Sequence, residues 1–539
     1  MDKRYNLLYE SWIKVIDDRL NIMKVSLIEV LENAHKYKSL AGETPLQNFA
    51  VERLLLAIAI TIFYKYDAEG KEALLNEDEE CDFEESEEVE ELVFERWKSY
   101  YDLGKFPIAV VADYLKKFEE RFWLFHPETP FYQVPDTVLK ENKYGTVYTT
   151  KCMLGNIKES KNKYTKHHFS MSDGENLENV SDDELTRWII HLMAYSINIK
   201  IPTGIGTGRL GALGSIKIEG NNLFYELLYN LVPIKINGSS SSLWGIPKPI
   251  WEKEVKVEKG VQISPPDNLP ELYTIQSRRI ALYQENAVFE GKYVLAGGEY
   301  YPLEEDPVEQ MTLWEKSNDK KNPKIRPKKH KNSVQIWREF DSLVGAKNSA
   351  KTPGLMSWIE KLNEKDSKYL PKILTIVFNG AEYDSQGSSF ISYTNDKISL
   401  VTDILRDIEI DWISIISEEI EKCEHVSDEI YDTMTSNIGK IYGLDKKIIS
   451  GIHTKLSQKF FYSIDHDFRH WLSTIDPQKD NKLQKQVQWE NIVRSKADQI
   501  VLEYINGLSD MYKIKEQLSI PGVYNSFKKE LLKNYPVNR

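Results

Sequence analysis

Residues 381 to 389, Ala-Glu-Tyr-Asp-Ser-Gln-Gly-Ser-Ser, hold one uncharged hydrogen-bonding side chain, Gln386, on a polar stretch between two apolar runs. A glutamine amide both donates and accepts and carries no charge to desolvate, so at a projecting tip it suits a ligand with mixed hydrogen-bonding edges. A second group is the glycine stretch Thr203-Gly-Ile-Gly-Thr-Gly-Arg-Leu-Gly-Ala-Leu-Gly214. Backbone without side chains approaches a ligand closely and presents its peptide N–H groups. Within it, Gly206-Thr-Gly208-Arg-Leu-Gly211 matches the form of a dinucleotide fingerprint. A third is His466-Asp-Phe-Arg-His470, two imidazoles one helical turn apart, the spacing of a zinc-binding helix, with Asp467 where such proteases carry a glutamate base.

The elements around these residues decide which chemistry is open to them. Lys372 to Phe378 reads as a strand and Phe390 to Tyr393 as its return, while Asp384, Ser385, Gly387 and Ser388 tolerate turn geometry, so Gln386 is predicted on a hairpin tip. Ser181-x-x-Glu184 forms a capping-box pattern, and Leu185, Trp188, Ile189, Leu192 and Ser196 follow at helical spacing, predicting a helix over 182–197 that leads into the glycines. Ser215 to Glu219 after them reads as a strand. A dinucleotide site needs a strand before its glycines and a helix opening at the third, and here that order is wrong. The histidine pair has no evident third ligand, and surface histidines explain it better. With no G-x-S-x-G elbow, phosphate-binding G-x-x-x-x-G-K or cysteine ligand set, the expectation is a chain with no catalytic residues, no cofactor and no metal site. The alternative is a metal- or nucleotide-dependent enzyme with an α/β core and a helical cap, and a third reading is a scaffold whose glycine turn is packed in the core.

Composition bounds the partners. At 539 residues with 41% hydrophobic and 11% aromatic residues the chain is globular and long enough for more than one domain. Its formal net charge of −13 excludes a protein that coats nucleic acid nonspecifically, because such proteins neutralise phosphates with Lys and Arg. Nucleic-acid contact must be local. The acidic block Glu77 to Glu91 reads as a solvated face, and the basic, proline-stiffened segment Lys316 to Lys331, including Lys328 and Lys329, as either a solvated linker or a contact with phosphates or a partner. Cys81, Cys152 and Cys423 are too scattered for a disulfide framework. The longest apolar run, Leu54 to Tyr64, is short for a bilayer, and Met1-Asp-Lys-Arg lacks a signal core, so a cytoplasmic chain without a membrane partner is expected.

Helix and strand signals mix up to residue 398 and then become helical. The predicted fold is α+β: a large mixed α/β domain over 1–398, followed over 399–539 by an antiparallel bundle of four helices, one from Asp403, others near 426–442 and 446–472, and one through Leu483, Val487, Val493, Ala497 and Tyr504.

The amino-terminal run Asn6 to Val15 with its Asp17-Asp18 turn and the Ser26-x-x-Glu29 capping box, the stretch Phe122-Trp-Leu-Phe-His-Pro-Glu-Thr-Pro-Phe-Tyr-Gln133, the glycine stretch and the Gln386 hairpin occur in that order before a helical end. In this the whole chain resembles the CasA family, the large subunit of the type I-E CRISPR surveillance complex, Cascade. The resemblance implies recognition of a protospacer-adjacent motif in double-stranded DNA by a glycine loop (Gly204, Gly206 and Gly208), a basic finger (Arg278 or Arg279, where the family has lysine) and a glutamine wedge (Gln386). It further implies a loop that orders in the complex, matched by His168 and Phe169. The implied partners are the other Cascade proteins and guide RNA, the target duplex, and a helicase-nuclease recruited after R-loop formation. Guide pairing then supplies sequence specificity while the protein reads a short motif and helps to open the duplex.

Overall fold

A computed structural model of the chain describes residues 3–74, 87–140, 144–150, 153, 157–158, 165–166, 180–196, 199–201, 204–237, 240–286, 288–304, 306, 308–319, 321–346, 349–384, 390–406, 412–508, 512–513 and 518–537. The chain mixes helix and strand, as the α+β expectation has it. Two compact units emerge, one of Met1–Lys331, Ala350–Leu362 and Ile376–Asp396, the other of Asn332–Ser349, Asn363–Thr375 and Lys397–Arg539.

The first unit is organised on the helix Pro45–Lys65. Thr44 caps it by accepting from the Gln47 N–H, and Pro45 occupies the first turn, where a missing N–H costs nothing. By length and composition this helix is apolar enough to cross a bilayer, yet 94% of that apolar window is buried inside the protein. It is a core helix, packed by the helices Asp182–Tyr195, Leu223–Asn230 and Leu269–Tyr273. Burial all round forces its polar residues to find partners. Arg53 makes a two-pronged pair with Glu309 (2.8 and 2.9 Å), and Glu52 shares the Lys217 ammonium with Glu226 (2.5 and 2.7 Å). Burial, with the Glu226 charge adding to it and Lys217 opposing it, pushes the Glu52 carboxyl up to about 7.

Near the amino terminus the strands Ile22–Val25, Ile13–Asp17 and Tyr37–Leu40 form one antiparallel sheet, and the Ser26–Glu29 capping box opens the next helix with both of its bonds made. A second sheet orders Gly214–Ile218, Ile373–Tyr383 and Phe390–Val401 side by side. In a third, Val288–Gly297 lies between Arg278–Glu285 and Thr146–Thr149 and pairs with both.

The second unit is mainly helical, and its helices differ from the expected set. Trp412–His425 does not end but runs through one π turn, Val426–Tyr431, into Asp432–Tyr442, so two expected helices are one. Ile420, Cys423, Val426 and Ile430 are all buried, so one apolar face continues through the join. Gly443, at φ +66°, stops it in the left-handed conformation that glycine tolerates. Lys446–Ser473 and Lys482–Asn506 follow, capped by Asp445 and Asn481. Ile520–Asn534, which the sequence reading did not identify, packs on Asp432–Tyr442 and on Lys482–Asn506. Trp337, from a segment earlier in the chain, stacks on Phe468 (4.2 Å), which meets Trp489 edge-on (5.2 Å). Beside it Arg338 pairs with Glu424 (2.5 and 2.6 Å). These contacts place Asn332–Ser349 with the helices, although it precedes residue 398.

Candidate nucleic-acid interface

The framework around the glycine stretch starts from the end of the helix Asp182–Tyr195. Ser181 takes the N-cap position but makes no side-chain cap bond, so the expected box is absent and the three acidic residues of the first turn, Asp182, Asp183 and Glu184, meet the positive helix end instead. At the other end, Gly208 N–H donates to the Ser196 carbonyl (3.0 Å). A Cβ on Gly208 would stand 2.5 Å from Ala194 O and 2.6 Å from its carbonyl carbon, so the close approach that requires glycine here is to the chain's own helix end. Gly204–Gly206 forms a short strand antiparallel to Ile199–Ile201, with Gly204 opposite Ile201 and Gly206 opposite Ile199. The stretch continues as a tight turn over Arg209–Ala212 and then the strand Gly214–Ile218. No helix opens at Gly211, which removes the geometry that a dinucleotide fingerprint needs.

The Gln386 hairpin is built onto that strand. Gly214–Ile218 pairs antiparallel with Ile376–Gly380, Gly214 lying opposite Gly380 and Ile218 opposite Ile376. The expected strand from Lys372 is present as Ile373–Tyr383, and its return begins at Phe390 as read. The tip, 385–389 with Gln386, lies outside the described residues, as do His168 and Phe169.

The basic segment meets the same framework. Lys328 N–H donates to Leu313 O (2.9 Å), Leu313 N–H donates to Gly214 O (3.2 Å), and the Lys328 carbonyl fills the space where a Gly214 side chain would stand. His330 is buried against Gly380, its Nε2 3.1 Å from Ser215 O, and burial lowers its imidazole to about 4, so at neutral pH it donates to that carbonyl as an uncharged ring. Lys329 is exposed, and its ammonium lies 5.4 Å from the ring centre of Tyr383. Tyr383 in turn donates its hydroxyl to Tyr195 O (2.7 Å). Sequence reasoning missed Tyr383; its signal is an aromatic as the last strand residue before a polar tip.

Arg278 and Arg279, expected to reach a groove, are 3% and 1% exposed. Arg278 Nε donates to Ser196 Oγ (2.6 Å), its neighbour Ser277 Oγ to Met193 O (2.8 Å), and burial draws the Arg278 guanidinium down to about 10. Arg279 donates to Glu258 O and Gln276 O, both at 3.0 Å. A buried guanidinium is costly unless its donors are used, and Arg278 uses its Nε to brace the helix end that carries the glycine stretch. In this arrangement neither reaches a ligand outside. His466 and His470 are exposed on the helix Lys446–Ser473, and Asp467 lies 3.5 Å from Lys496. Among the described residues no three His, Cys, Asp or Glu side chains are grouped as a metal would require.

A family model, described as CRISPR-associated protein Cse1, matches residues 6–500 of the chain. A curated CasA/Cse1 protein of Thermus thermophilus is 25% identical over 249 residues, which is 46% of this chain and 43% of that protein; the match thus spans less than half of the relative's length. The crystal structure of Thermobifida fusca Cse1 superposes with a TM-score of 0.75 at 22% identity, covering 99% of this chain and 98% of that one. A chain in a structure named a CRISPR RNA-guided surveillance complex superposes with a TM-score of 0.67 at 13% identity, covering 98% and 100%.

Proposed function

Because the chain belongs to the CRISPR-associated Cse1 family, whose model matches nearly its whole length, we propose that it is a non-catalytic subunit of an RNA-guided surveillance complex that recognises a protospacer-adjacent motif in double-stranded DNA and helps to open the duplex. The observation that carries this reading is the common base of three motifs: glycine stretch, basic segment and glutamine hairpin all root on the pairing of Gly214–Ile218 with Ile376–Gly380. Gly214, at the end of the glycine stretch, pairs with the hairpin's first arm and bonds to Leu313, which bonds to Lys328, so the three motifs are tethered to one framework. The minor groove has degenerate edges, and reading a few base pairs there needs close approach and a few donors rather than a recognition helix. Gly204 and Gly206 serve that approach, Gly208 holds the loop to the helix end, and Gln386 enters the opened step. Arg278 braces the helix end behind the loop from inside, and Lys328 and Lys329 supply local positive charge to a chain that is acidic overall.

The other Cascade proteins, guide RNA and the target duplex are the partners in this reading. The recognition part lies within 1–398. The helices over 399–539, acting as an antiparallel four-helix bundle, meet small subunits and the displaced strand, and the large part offers a face to the helicase-nuclease after R-loop formation.

The test is Gln386→Ala in the assembled complex with one guide. On fully paired target the variant is expected to form R-loops roughly tenfold more slowly, since nothing then offsets part of the unstacking cost. On a target already mismatched beside the motif it is expected to match the parent, that cost having been removed in advance. Equal impairment on both targets contradicts the wedge, and no impairment on either makes the hairpin an ordinary surface turn.

A further inference from the structure

The last described strand residue before the tip is Tyr383, three residues from Gln386. Its hydroxyl donates to Tyr195 O at 2.7 Å, a carbonyl of the last helical turn that has no partner further along the helix. A Cβ on Gly211 would collide with that hydroxyl, so the third glycine of the fingerprint-like segment makes room for it. The ring meets Phe390, the first residue of the returning strand, edge-on at 6.0 Å, and the Lys329 ammonium lies 5.4 Å from its centre. One side chain thus touches the helix end, the glycine stretch, the basic segment and both arms of the hairpin.

We propose that Tyr383 is a positioning residue for duplex opening, a role that rests on the wedge reading of Gln386: its hydroxyl locks the hairpin root to the helix end that also holds the glycine stretch. A hairpin end that is free to twist must be ordered before it inserts, and that conformational entropy adds to the cost of unstacking a base step. Anchoring the last strand residue removes this ordering from the inserting step. The anchor therefore acts when the duplex opens and not when a strand that is already open pairs with the guide.

The experiment compares Tyr383→Phe, Gln386→Ala and their combination in assembled complexes, on fully paired target and on target with a pre-opened bubble beside the motif. Phenylalanine keeps the ring beside Phe390 and Lys329 and removes only the donor. Tyr383→Phe is expected to slow R-loop formation on paired DNA roughly three- to tenfold, the range of one lost hydrogen bond, and to stay within about twofold of the parent on the bubble. In the double variant the effect of Tyr383→Phe is expected to vanish against Gln386→Ala, because there is no wedge left to position. Gly211→Ala, which displaces the hydroxyl while keeping the tyrosine, is expected to reproduce the pattern if Tyr383→Phe fails to fold. Normal opening by Tyr383→Phe beside slow opening by Gln386→Ala overturns the anchor and leaves the wedge standing. Normal opening by Gln386→Ala removes the reading on which the anchor rests. Equal slowing by Tyr383→Phe on both targets also overturns it and makes Tyr383 a general packing residue.

Discussion

A Gly208→Ala chain is expected to lose about 3 kcal/mol of stability in the first unit, at the upper end of what overpacking a close contact costs. The added methyl has no flexible neighbour to displace. It meets Ala194 O at 2.5 Å, the Ala194 carbonyl carbon at 2.6 Å and Tyr195 N at 2.8 Å, all of them backbone at the end of a buried helix. Either that end moves, which drags Ser196 from Arg278, or the glycine stretch moves, which breaks the Gly208 bond to Ser196 O. Gly451 supplies the control. It lies in the helix Lys446–Ser473 with nothing within 4 Å of a built Cβ, so Gly451→Ala is expected to gain about 0.5–1 kcal/mol by lowering the entropy of the unfolded chain. Denaturant unfolding of both variants checks the pair. A Gly208→Ala chain as stable as the parent contradicts the packing of the stretch on the helix end.

Arg53→Met is expected to cost about 3–5 kcal/mol, because it strands a buried carboxylate. Arg53 and Glu309 are 3% and 0% exposed, and the guanidinium also lies over the Tyr273 ring at 3.6 Å. The double change Arg53→Met with Glu309→Leu is expected to recover most of the loss, since an apolar pair of similar volume leaves no charge to satisfy. The pH dependence has a fixed sign. Burial alone would raise the Glu309 carboxyl, but Arg53, with smaller help from Arg209 and the Met311 N–H, holds it below its ordinary value. A depressed carboxylate contributes stability that is present above its unfolded pKa and is lost as pH falls through the folded one. The deficit of Arg53→Met is therefore largest near neutrality and shrinks on acidification, as Glu309 in the variant takes up a proton and loses its charge. A deficit independent of pH would show that the lost packing of Arg53, and not the bare carboxylate, destabilises the variant.

Local chemistry made part of this legible in the sequence. The Ser26–Glu29 box, the strand before the hairpin tip and the helix running into the glycines rest on signals within a few residues, and each is present, the last through its periodicity and without the Ser181 box. What depended on distant partners was not legible. The family resemblance implies a basic finger at Arg278 or Arg279, yet both residues are buried. They open a strand whose next residues, Ile280, Ala281 and Leu282, are all buried, and that apolar run was the available hint of an interior strand. Trp337 joins the helical unit through Phe468, far along the chain, and no periodicity signals a contact of that separation. Gly208 reads as a residue for ligand approach when its neighbour across the contact, Ala194, is unknown.

In the proposed function this chain supplies the preference for motif-bearing duplex while the guide supplies the rest. The most direct measurement compares the surveillance complex assembled with and without the chain, under one guide and one salt concentration. Three targets are needed: a duplex with the flanking motif, a duplex with that motif scrambled, and the single strand alone. With the chain, binding to the two duplexes is expected to differ strongly; without it, both duplexes should bind weakly and alike while the single strand binds as before. Retention of the full preference between the two duplexes by the complex lacking the chain would contradict a motif-reading role for it.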